Sequence, residues 1–154
     1  MEDAERGYTI VRVFEAPREL VWRAWTEPDR FARWWGGAQV RVEDVSMDVR
    51  QGGPWAATMI LPDGTRIDWS GRFEVVEEPA RLAMTLTDGT GGPDEFELFT
   101  VTFAEVSGGT EMTLRQSGGH LSDEEYERAK QGTQTFLDEM AALVADDLKM
   151  RHDT

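Results

Sequence analysis

The stretch from Ser122 onward constrains the fold most. Ser122-Asp-Glu-Glu125 is a capping box, in which a serine and the glutamate three residues later satisfy free N–H groups reciprocally at a helix start. Acidic residues in this first turn also suit the positive end of the helix dipole. The apolar positions Phe136, Leu137, Met140, Leu143, Val144 and Leu148 then follow i, i+3, i+4, i+7 spacing. A helix over residues 123–149 extends on the order of 40 Å at ~1.5 Å per residue. Gly132 is its weak point. An amphipathic helix of this length is a cover for something long and apolar on one face.

The middle of the chain supplies that face. Candidate strands are residues 39–48, 55–61, 66–77, 81–87, 95–105 and 110–116. Gly52-Gly53-Pro54, Pro62-Asp63-Gly64, Glu78-Pro79, the 88–93 run and Ser107-Gly108-Gly109 punctuate them. Pro62-Asp63-Gly64 reads as a hairpin turn because glycine supplies the positive φ. Phe99, Val101 and Phe103 alternate with Thr100 and Thr102, as a sheet with one buried and one wet face requires.

Before the sheet, residues 8–15 read as a first strand, rich in β-branched and aromatic side chains. Pro17 opens a short helix carrying Leu20, Val21, Ala24 and Trp25 at helical spacing. Pro28 is expected to stop it and Asp29 to cap a second helix, with Phe31, Trp34 and Trp35 as its apolar face and Gly36-Gly37 as its end. Four of the six tryptophans lie here: Trp22, Trp25 and Trp34 are expected to fix the helices as core, and Trp35 to stand at a cavity rim. The chain thus reads as one α+β domain over residues 1–154, with a core at about 8–149. It has a curved seven-stranded antiparallel sheet, two short helices after strand 1, and a long C-terminal helix over the sheet. On strand 1 the inward set is either Ile10, Arg12 and Phe14 or Val11 and Val13.

Composition excludes several functions. The net charge of −14, with no Lys/Arg cluster, opposes nucleic-acid binding. No apolar run approaches the ~18–20 residues of a membrane span. The opening Met-Glu-Asp-Ala-Glu-Arg lacks the features of a secretory signal, so a cytoplasmic location is expected. Cysteine is absent, and with it disulfides, thiol nucleophiles and thiolate metal sites. The two histidines, His120 and His152, occur in no metal-ligand spacing. Ser117 near His120 lacks a nucleophile-elbow motif, and Gly89-Thr-Gly-Gly-Pro lacks the helix and lysine of a phosphate loop. No catalytic residue, metal or cofactor is assigned.

What remains is an apolar and aromatic inventory. Trp35, Trp55, Met59, Trp69, Met84, Phe136 and Met140, with Gln116 as a polar contact, are the expected lining of a ligand cavity between sheet and helix. The expected partner is a small apolar or aromatic molecule. A homodimer is left open.

The run Ala16-Pro17-Arg-Glu-Leu-Val21-Trp22 through Trp34-Trp35-Gly36 resembles the opening of AHSA-type proteins, relatives of the C-terminal domain of the activator of the heat-shock chaperone ATPase. Gly52-Gly53-Pro54-Trp55, Pro62-Asp63-Gly64, the Gly71 to Leu82 run and Gly109-Thr110-Glu-Met-Thr-Leu are similar to its later landmarks. The resemblance implies the START-like helix-grip fold, whose members enclose a hydrophobic cavity beneath the last helix. It implies a ligand-binding fold. With a cavity expected and no catalytic constellation in the sequence, the expected function is a stand-alone binder of a small hydrophobic or aromatic molecule. There are two alternatives: a cyclase- or aromatase-like enzyme using the same cavity, or a regulator of a chaperone ATPase, with the chaperone as partner and a role in stress. Two departures stand out. Many relatives carry Gly-Trp where this chain has Gly132-Thr133, and the chaperone activators have a separate N-terminal chaperone-binding domain for which 154 residues leave no room.

Overall fold

The computed structural model describes residues 7–90, 96–118 and 121–152, the last two without their side chains. His120 and the start of the strand expected at 95 lie outside the described residues. The chain runs β1 (Gly7–Phe14), α1 (Arg18–Thr26), α2 (Pro28–Trp34), β2 (Arg41–Met47), β3 (Pro54–Ile60), β4 (Arg66–Glu77), β5 (Arg81–Leu86), β6 (Glu97–Val106), β7 (Gly109–Ser117) and α3 (Asp123–His152). The strands form one seven-stranded sheet in the order β1-β7-β6-β5-β4-β3-β2, every pair antiparallel. This is the expected α+β architecture, with strand limits within two residues of those read from the sequence.

Local chemistry explains the joints. Ser122 and Glu125 exchange hydrogen bonds of 2.8 and 3.1 Å between side chain and backbone, the capping box that opens α3. At the β3–β4 hairpin Gly64 takes φ +90°, and the Asp63 carboxylate accepts the Thr65 N–H at 2.9 Å. The junction of α1 and α2 corrects the sequence reading. Glu27 both ends α1 and stands at the N-cap of α2, without a side-chain cap, while Asp29 lies inside the first turn. Pro28 starts the second helix, since a first-turn residue needs no N–H partner. Gly36 and Gly37, at φ +91° and +83°, then release the chain toward β2.

The buried face of the sheet carries Ile10 and Phe14 on β1, Met112 and Leu114 on β7, Phe99, Val101 and Phe103 on β6, and Leu82, Met84 and Leu86 on β5. Val11 and Val13 point out, more than half exposed, which settles the inward set of β1. The Arg12 guanidinium leans back to Asp138 of α3 at 2.8 Å. On the helix side α3 presents Leu137, Met140, Leu143 and Val144, all buried. Arg30 of α2 grips Asp147 of α3 with two hydrogen bonds, 2.8 and 3.4 Å, and reaches Glu27 at 2.6 Å. These bonds to Asp147 raise the Arg30 pKa, so the fork stays charged. Gly132 sits within continuous helix, so the weak point does not break α3.

Candidate functional site

Two kinds of surface meet beneath α3. Under α2 lies a close-packed aromatic block. Trp35 stacks on Phe31 at 4.9 Å and meets Trp55, Trp69, Phe99 and Phe136 edge-on at 5.5–6.0 Å between ring centres. Offset and edge-on rings are the arrangements that aromatic quadrupoles favour. Trp25 joins through Trp34 and Phe99, and its indole N–H points at the Met112 sulfur. Trp22 packs on Phe103 instead. Trp34 donates to the Ala24 carbonyl at 2.7 Å and Trp55 to the Thr85 carbonyl at 2.8 Å. The indole nitrogens of Trp35 and Trp69 are buried without a partner among the described residues.

Toward the N-terminal end of α3 the packing opens into a pocket of about 340 Å³. Trp69 of β4, Leu86 of β5, Phe96, Leu121 and Ala129 of α3 form its apolar walls, and Thr87, Asp88, Thr90, Glu97 and Gln116 its polar edge. Behind that edge runs a hydrogen-bonded chain. The Tyr8 hydroxyl donates to Gln116 Oε1 at 2.6 Å. Its single hydrogen being spent there, Thr133, at 2.7 Å, is the donor to Tyr8. Gln116 Nε2 donates to Glu97 Oε1 at 3.3 Å, and the Tyr126 hydroxyl to the same oxygen at 2.9 Å. Burial lifts the Tyr8 hydroxyl well above the ordinary phenol range, with Glu97 and Tyr126 adding to the rise and Thr133 opposing it. Tyr8 therefore keeps its proton, and the Gln116 amide is locked in one orientation.

Of the residues expected to line a cavity, Trp69 and Gln116 border this pocket. Trp35, Trp55 and Phe136 belong to the aromatic block, and Trp35, expected at a rim, is its hub and only 2% exposed. Met59, Met84 and Met140 are buried in the core. Tyr8, Glu97 and Tyr126 were not singled out from the sequence, and Thr133 only as a departure from the family pattern, because these residues converge from elements far apart in the chain. The one signal was Tyr8 itself, a phenol among apolar residues of β1 that needs a partner once buried.

A second groove of about 430 Å³ runs between β1 and the far half of α3, along Arg12, Phe14, Ala141, Val144 and Leu148. Among the described residues it has no comparable polar network, and Arg12 within it is already paired with Asp138. Among the described residues no group of three acidic, histidine or cysteine side chains is placed to hold a metal. No described helix is long and apolar enough to cross a membrane.

No curated protein matches the chain in sequence. Among solved structures it is similar to a protein of Chromobacterium violaceum, at 25% identity and a TM-score of 0.82 over 90% of this chain and 96% of that one. An AHSA1-like protein of Aeromonas hydrophila is 27% identical, with a TM-score of 0.75 over 92% of this chain and 93% of its own. An AHSA1 protein of Silicibacter pomeroyi shares the fold at 21% identity and a TM-score of 0.79, covering 92% and 99%. The family model described as "Activator of Hsp90 ATPase homolog 1-like protein" matches residues 15–145, from the end of β1 through most of α3. The chain belongs to the AHSA1-like family and has its helix-grip fold.

Proposed function

We propose that the protein binds a small apolar or aromatic molecule, without altering it, in the pocket at the N-terminal end of α3. The observation that carries this is the pairing of apolar walls, Trp69, Leu86, Phe96 and Leu121, with one oriented amide, Gln116, around a space of about 340 Å³. Such a combination, mostly apolar with a few fixed polar groups, is the usual form of a small-molecule site. Trp69 at the wall makes binding observable by fluorescence. Titration with a panel of lipids, sterols and aromatic polyketides is expected to shift the emission saturably for at least one class. Filling the pocket with Ala129→Phe is expected to abolish that response while the unfolding free energy stays within about 1 kcal/mol of the parent. A saturable response that survives Ala129→Phe places binding elsewhere.

The cyclase-like alternative asks a polar group to move a proton. Tyr8, with its raised pKa, is poorly suited to give one up. Regulation of a chaperone ATPase has the family description as its support. Stimulation of the chaperone's ATPase at saturating protein would favour it over the pocket reading.

A further inference from the structure

Among the described residues, the charged groups around the pocket are of one sign. Glu97 and Asp88 both line it, and no lysine or arginine is among the described lining residues. Glu97 Oε1 is engaged by Tyr126 and Gln116, while Oε2 receives no hydrogen bond among the described residues. The Thr90 hydroxyl, at 2.7 Å, and its backbone N–H, at 3.0 Å, hold the Asp88 carboxyl below the usual aspartate range, so it stays charged. Because Tyr8 occupies the Gln116 oxygen, the amide turns its NH₂ toward Glu97 and fixes that carboxylate in place. Two aromatic rings share the space, Trp69 on the wall and Phe96, which is 41% exposed. Carboxylates beside aromatic rings attract organic ammonium groups through charge and through the ring quadrupole. The net charge of −14 adds a longer-range attraction for cations and a repulsion for anions.

We infer that the pocket selects organic cations: molecules with an apolar or aromatic body and a protonated amine or quaternary ammonium head set against Glu97. This rests on the pocket being a binding site. The body lies against Leu86, Leu121 and Trp69, and the head meets the free Glu97 oxygen with Asp88 across the mouth.

Three probes of one shape test it: (1-naphthylmethyl)trimethylammonium, 1-naphthalenemethanol and 1-naphthylacetate, titrated by calorimetry into the full chain at low salt. The ammonium is expected to bind roughly tenfold or more tightly than the carboxylate, with the alcohol between. Added salt is expected to weaken the ammonium alone toward the alcohol's affinity. Glu97→Gln keeps an acceptor for Tyr126 and Gln116, and is expected to cost the ammonium about tenfold while leaving the alcohol within about twofold. Asp88→Asn, at the exposed mouth, gives the same reading should Glu97→Gln fail to fold. Equal affinity for the three probes, or an ammonium affinity indifferent to both substitutions, overturns the cation selectivity and leaves the pocket standing. No binding by any probe removes the pocket reading and this one together.

Discussion

Beneath α2, Trp35 is walled by Phe31, Trp55, Trp69, Phe99 and Phe136, whereas at the start of α3 the same layer is held by hydrogen bonds among Tyr8, Gln116, Glu97, Tyr126 and Thr133. The first arrangement gains stability from area and shape and excludes water. The second keeps buried polar atoms satisfied and leaves space beside them. One sheet and one helix thus enclose a solid end and an open end, joined at Trp69, which belongs to both. Stability and binding are therefore expected to separate along α3.

The largest effect should come from breaking the solid end. Trp35→Ala is expected to cost about 3–5 kcal/mol in urea unfolding, the range for a truncated core aromatic. Trp35→Phe, which also removes the unpartnered indole N–H, should cost much less. A loss below about 1 kcal/mol for Trp35→Ala would show that the block is not tightly packed. At the open end Tyr8→Phe keeps the ring and strands the Gln116 and Thr133 side chains, and a loss of about 1–2 kcal/mol is expected. Its diagnostic is binding: freed from Tyr8, the Gln116 amide loses its fixed orientation, so probe affinity should fall as well. Trp35→Phe should leave probe affinity unchanged.

Gly132→Ala acts in the opposite direction. A Cβ built at Gly132 meets nothing within 4 Å, and the residue lies mid-helix. Thermal or urea unfolding should show a gain of about 0.5–1 kcal/mol, from the smaller entropy of the unfolded chain. The smallest effect belongs to the pocket mouth. Asp88 has a depressed folded pKa, so its contribution is present above the unfolded aspartate value and is lost as pH falls through the folded one. Thr90→Val removes the hydroxyl bond, and the stability gap between parent and variant, a few tenths of a kcal/mol at this exposed site, should be visible at neutral pH and close in acid below the aspartate range. A gap that persists unchanged in acid would assign it to something other than Asp88.

The rings of the solid end were legible in the sequence as buried groups but were expected to line a cavity, and of the open end only Trp69 and Gln116 were expected at one. Features set by neighbours a few residues away could be read directly: the Ser122–Glu125 box, the turn at Gly64, the exit at Gly36-Gly37. Trp22, Trp25 and Trp34 could be read as core because large rings must bury their area wherever they fall, whereas the contacts that make Trp35 a hub depend on which strands and helices meet there. The Tyr8–Gln116–Glu97 chain depends on register, since Tyr8 faces Gln116 only because β1 pairs with β7, and Thr133 meets them only where α3 crosses. No local spacing encodes that. The start of α2 was misread for the opposite reason: two local signals, Pro28 and Asp29, competed, and the ring of Pro28 at the first helical position left the cap to Glu27.

The pairing of Tyr8 with Gln116 also bears on how the chain is made. On the ribosome the first strand waits for a partner more than a hundred residues downstream. Until α3 follows, Met84, Leu114 and the rings around Trp35 lack the helix that covers them. Contacts this distant in sequence close slowly, since a long loop must be ordered before they form. The fold is therefore completed only once α3 has emerged, and the stage before that, with an apolar sheet face uncovered, is the one most in need of protection from aggregation.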